Sequence, residues 1–165
     1  VNEDVMSRRD AREKAMQLLY QIDSQDTSPE EQLDIFLAQR TPLPGQTTEI
    51  EEEEGANVVA TLEESDQAYL KSLVRGVIAR SDELDQTYSA FLKKWTVERL
   101  PRIERILLRM GTYELLHAED IPNSVAISEI IRLCKTYADE DSYSYVNAVL
   151  GKVSRKHEEG SEEIV

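Results

Sequence analysis

A chain of 165 residues with 33 acidic and 19 basic side chains carries a formal charge of −14. Its single cysteine excludes an internal disulfide, and two histidines with that cysteine do not make an ordinary zinc site, so neither metal nor cofactor is expected. Charged residues are plentiful, and no apolar run is long enough for a bilayer span or a signal peptide, so a mainly helical, cytoplasmic chain with no membrane partner is expected.

The first predicted helix opens at Ser7 and runs to about Ser24. Arg8 and Arg12 are four apart and share a face, with Arg9 beside them. Ala11, Ala15, Leu18 and Ile22 follow helical spacing on another face. Cations at a helix start oppose the macrodipole at a cost of about 0.3–1 kcal/mol each, so a purely structural start gains little from them. The alternative is local pairing with Asp10 and Glu13. A second helix follows Ser28, with Pro29 at its first position and Glu31 placed for a capping box. Together these form an N-terminal pair over 7–40.

Residues 41–62 break the periodicity. Pro42, Pro44 and Gly45 punctuate, and Glu51 to Glu54 repel one another, which predicts a long acidic loop. Between residues 26 and 66 stand twelve acids and one base, Arg40. The rest of the chain is therefore close to neutral. With screening over about 8 Å at physiological salt, a distant acidic loop leaves a local basic patch intact.

Helical periodicity resumes over 63–156. A third helix spans about 63–80, with Tyr69, Leu70, Leu73, Val77 and Ile78 as its apolar stripe and Gly76 at an expected close approach. A fourth follows Ser81 and ends near Trp95. Segment 102–118 has the strongest pattern, with Ile103, Ile106, Leu107, Met110 and Tyr113 inward and Leu108 and Leu115 flanking, the mark of a central helix. Helices over 123–138 and from 141 or 142 to about 156 complete the set. Residues 157–165 are expected to fray. The whole reads as an all-α bundle of about seven helices in one domain.

Signatures of catalysis are missing: no glycine spacing for a phosphate loop or dinucleotide, and no triad around His117 or His157. Cys134 lies in an apolar stripe and reads as core. No catalytic residue is assigned. The arginines at 8, 9 and 12 are the better candidates, as guanidinium donors to phosphates. A second candidate is "DSYSYVNAVLGK", residues 141–152. There a tyrosine at a helix start, Tyr145, with Lys152 nearby can stack an unpaired base, or can instead be ordinary core. A third set, Arg102, Arg105 and Arg109 on one face, reads as a salt-bridged surface.

Four segments taken in order, "RRDAREKAMQLLYQ", "IERILLRMGTYELL", "IPNSVAISEIIRLCKTY" and "EDSYSYVNAVLGKV", resemble the family of the transcription antitermination factor NusB. The resemblance implies an all-helical fold of two small helical subdomains. It also implies binding of boxA-type single-stranded RNA from ribosomal RNA operon transcripts, with the ribosomal small-subunit protein NusE as partner and elongating RNA polymerase as the indirect target. It places Arg8, Arg9 and Arg12 on an RNA-binding start, Tyr145 on an aromatic near the RNA, and Asp141 and Ser142 on the loop beside it. Tyr20 and Glu104 match positions facing the ribosomal protein. Some members form homodimers.

The chain departs from the pattern at Ser144, where a basic residue is usual, and at Ala148, where glycine is usual. Asp10 interrupts the arginine run. Two other readings stand beside an RNA-binding factor. One is a protein-interaction module of the same fold with little RNA binding. The other is the RNA-binding front end of a ribosomal RNA methyltransferase, for which no nucleotide-binding domain is seen here.

Overall fold

In the computed structural model, residues 2–38 and 64–163 are described. They form α1 (Asn2–Ser24), α2 (Pro29–Ala38), α3 (Glu64–Ala79), α4 (Ser81–Ser89), a single 3₁₀ turn (Val97–Arg99), α5 (Arg102–His117), α6 (Asn123–Tyr137) and α7 (Ser142–Glu163). No strand occurs among the described residues, so the fold is all-α. The expected acidic loop over 41–62 lies outside them. Two units are distinguished, Val1–Val74 and Arg75–Val165.

In the first unit α1 packs on α2. Ala11, Ala15, Met16, Leu18 and Leu19 are buried along α1, and Leu33 along α2. α1 begins at Asn2, ahead of the expected start at Ser7. The arginines therefore sit beyond the first turn, and the macrodipole argument for a functional role no longer applies to them. α2 begins at Pro29 as expected, with the Gln32 amide donating to the Ser28 carbonyl at 3.0 Å.

In the second unit α5 is central and packs on α4, α6 and α7. Ile106, Leu107, Leu108, Met110 and Leu115 are buried around most of its circumference, while Ile103 and Tyr113 are half-buried. The close approach expected at Gly76 is made by the Tyr113 ring, which occupies the space a Cβ would need. Asp85 of α4 pins α5. Arg109 donates to it from Nε and Nη2, both at 2.8 Å, and the Tyr88 hydroxyl donates to Oδ1 at 2.6 Å. A two-pronged guanidinium–carboxylate pair fixes orientation as well as distance. Burial, then the bond to Asp85, raises the Tyr88 phenol above its ordinary value.

Two further boundaries differ from expectation. α4 ends at Ser89, so Phe91 to Trp95 belong to the connection to α5. α7 continues to Glu163, so most of the stretch expected to fray is helical. The α7 extension is tied to α6, where Asn123 Nδ2 donates to Ser154 Oγ at 2.9 Å and Glu158 Oε1 at 3.1 Å.

Candidate nucleic-acid interface

The first candidate region lies in the first unit, on α1. Spacing by four brings Arg8 and Arg12 to one side, and Tyr69 of α3 meets both. The guanidinium carbons of Arg8 and Arg12 lie 5.4 and 5.6 Å from the Tyr69 ring centroid. Each stack is worth about 0.5–1 kcal/mol when exposed and about 2 kcal/mol when desolvated. The second figure suits Arg12, which is only 2% exposed. Arg8 and Arg9 are half-buried.

The expectation of three arginines offered to phosphates is thus corrected. Arg12 is held inside, and Arg8 and Arg9 carry the accessible charge. Periodicity places Tyr69 in an apolar stripe and gives no sign that its ring organises the arginines. Tyr20, also on α1, is 40% exposed.

The second region lies in the second unit, where α7 meets α5. Ser142 Oγ donates to Glu104 Oε1 at 2.6 Å, with Glu104 3% and Ser142 5% exposed. Glu104 was expected to face a protein partner and Ser142 to face RNA. Both are enclosed, because packing of α7 on α5 closes over them, and neither offers side-chain surface. Their bond instead sets the first turn of α7, which carries Tyr145. Burial, then the Glu104 charge, pushes the Tyr145 phenol up to about 12, with hydrogen bonding to Ser142 pulling the other way. Asp141 is exposed at the entrance of this helix.

The same half-buried Tyr145 lines a groove of about 330 Å³ together with Lys152, seven residues on, and with Phe91, Lys93, Lys94 and Trp95 from the α4–α5 connection. Ala148 of α7 lies on its lining as well. Lys93 and Lys94 are exposed, Lys152 is half-buried and Trp95 is 45% exposed. No carboxylate appears among the described lining residues. The structure thus brings Tyr145 and Lys152 together as expected. It adds two lysines and an indole that the sequence pattern assigns to a helix end.

Other candidates resolve simply. Cys134 is fully buried, and desolvation, then Glu104, pushes its thiol up to about 11. His117 stacks on Tyr113, its ring centroid 5.2 Å away, with Glu83 at 3.9 Å. No metal-holding cluster of His, Cys, Asp or Glu occurs among the described residues. No helix among them is long and apolar enough to cross a membrane.

Comparison with known proteins gives this geometry a family. The chain is 38% identical over 162 residues to the transcription antitermination protein NusB of Symbiobacterium thermophilum, covering 97% of this chain and 98% of that protein. NusB of T. maritima superposes with a TM-score of 0.73 at 27% identity, over 91% of this chain and 92% of that one. A crystal structure of antitermination factors NusB and NusE in complex with dsRNA shares the fold, with a TM-score of 0.72 at 24% identity over 92% and 98% of the two chains. The NusB family model matches residues 9–155, and the chain belongs to that family.

Proposed function

We propose that this chain is a transcription antitermination factor. It binds boxA-type RNA of ribosomal RNA operon transcripts together with a NusE-type ribosomal protein and acts through them on elongating RNA polymerase in the cytoplasm. The observation that carries the reading is near-complete alignment with a protein named for transcription antitermination, 38% identical over 97% of the chain. The function is one of binding, and no chemical step is assigned to any residue.

Geometry supports the reading in two places. The Tyr69 ring lies 5.4 Å from the Arg8 guanidinium, a contact that lowers the side-chain freedom Arg8 has to lose on meeting a phosphate. Tyr145 and Lys152 offer a ring and an ammonium on one face of α7. Asp141 borders that face, Ser142 acts from within by holding Glu104, and Tyr20 is the exposed residue offered to the ribosomal protein. Because Arg12 is enclosed, fewer phosphates are neutralised than three open arginines allow, which favours binding with the partner over binding alone.

The test is boxA RNA binding with and without NusE over a salt series. The same strand is also presented annealed, since the solved complex of NusB with NusE holds double-stranded RNA. Arg9→Glu is expected to weaken binding about ten- to a hundredfold, the worth of one or two charge-assisted contacts, and to flatten the salt dependence. Unchanged affinity removes the arginines from the interface. Partner binding with RNA affinity no better than for a random strand leaves only a protein-interaction module.

A further inference from the structure

Within the RNA-binding reading, the α4–α5 connection is still without a role. Its residues Lys93, Lys94 and Trp95 form one wall of the groove whose other wall is the Tyr145–Lys152 face of α7. Two features identify the occupant. The charge is one-signed: three ammonium groups surround the opening, and none has an ion pair with the described residues. The rings differ in availability. Phe91 already carries the Lys156 ammonium 5.8 Å from its centroid, whereas Trp95 is 45% exposed with no such cation on it.

An apolar floor with a bare indole and a cationic rim complements a flat, neutral, aromatic body joined to an anion. That is the chemistry of an unpaired nucleobase and its flanking phosphates. The mouth is the wrong place for an apolar helix, which gains nothing from the lysines. It is equally wrong for a paired duplex, whose bases are not free to stack on a side chain.

We infer that this groove is a subsite for one unpaired base of the bound RNA, stacked on Trp95, with Lys93, Lys94 and Lys152 holding the adjoining phosphates. The subsite needs no movement of the buried Glu104–Ser142 pair. It uses Tyr145 as a wall rather than as the sole stacking ring. It also gives the chain phosphate partners that offset the enclosed Arg12 and the missing basic residue at Ser144.

Trp95 is the only tryptophan in the chain, so its fluorescence reports on this site alone. The experiment titrates the full chain with end-labelled boxA oligoribonucleotide. Anisotropy of the label reports binding, tryptophan emission reports stacking, and the annealed duplex of the same strand is run in parallel. Single-stranded RNA is expected to quench Trp95 in step with binding, and duplex RNA to leave it unquenched. Trp95→Ala is expected to weaken the single strand about tenfold, with Trp95→Phe recovering most of the loss. Lys93→Gln with Lys94→Gln is expected to lower the log–log salt slope by about 0.7 for each phosphate no longer neutralised.

RNA bound with Trp95 emission unchanged and Trp95→Ala indistinguishable from wild type overturns the subsite and leaves the RNA-binding reading standing. Equal quenching by duplex and single strand overturns base stacking in favour of a general polyanion contact. No binding of RNA with or without NusE overturns the RNA-binding reading, and the subsite with it.

Discussion

The α1 arginines and the α4–α5 lysines meet the same need, positive charge beside an aromatic ring, in opposite ways. On α1 the ring comes first. Tyr69 lies under Arg8 and Arg12, and Arg12 is 2% exposed, so its cation is part of the packing. In the groove the ring is bare and the cations stand around it, with Trp95 45% exposed and Lys93 and Lys94 open to solvent. Arginine suits the first role because its flat, weakly hydrated head stacks and tolerates enclosure. Lysine suits the second because a strongly hydrated point charge on a flexible stem stays at the surface and adapts to a moving backbone. Basic charge in one region is therefore part of the packing, and in the other it stands at the surface.

The largest expected difference between the two regions is in stability. Arg12→Ala is expected to cost about 2 kcal/mol or more in denaturant unfolding, because the desolvated contact with the Tyr69 ring and the packing of the arginine stem are lost together. Lys93→Ala with Lys94→Ala is expected to stay within about 0.5 kcal/mol of wild type, as exposed substitutions do. Equal costs erase the distinction between the two regions.

Next in size is Ser142→Ala. It strips a 2.6 Å bond from a carboxylate that is 3% exposed, and is expected to cost about 1.5–3 kcal/mol. RNA affinity is expected to fall with it, because the first turn of α7 and Tyr145 loosen together. A stability loss with RNA affinity untouched separates Tyr145 from that bond.

Much of the bundle is legible because burial imposes a period. α5 has apolar residues at threes and fours around most of its circumference, and it is the helix on which α4, α6 and α7 pack. Pro29, Pro101 and Pro122 mark true starts, since proline costs least at or just before the first turn. The α1 start is hidden because Ser7 is a good cap residue and nothing periodic precedes it. The end of α7 is hidden because polar residues there form a helix held by Asn123, a contact from another element.

The candidate site is legible only where one helix holds both members of a pair. Tyr145 and Lys152 fall seven apart on α7, and Arg8 and Arg12 four apart on α1. Glu104 with Ser142, Tyr69 with the arginines, and Trp95 with Tyr145 each join residues far apart in the chain. Their meeting is a fact of packing that one-dimensional spacing does not contain. Glu104 reads as a surface acid because glutamate usually is one. Its enclosure depends on a hydroxyl brought to it by α7.

The smallest expected effect lies away from both regions and serves as their control. Burial, then Arg80, holds His117 below its ordinary value of 6.5, against the opposing pull of Glu83. The unfolded chain therefore takes up a proton at a higher pH than the folded one. The stability this histidine contributes is full above about 6.5 and is lost as the pH falls through the folded value. His117→Gln is expected to flatten that part of the pH–stability curve slightly and to leave RNA affinity unchanged. An effect on RNA binding would extend the interface to this end of α5.

The most direct test of the account is boxA RNA against a scrambled strand of equal length, each titrated with the chain and NusE over a salt series. A preference for boxA is expected, with an affinity that falls steeply with salt and a shallower fall in Arg9→Glu and in Lys93→Gln with Lys94→Gln. Equal affinity for the two strands, or binding indifferent to salt and to both sets of substitutions, contradicts it.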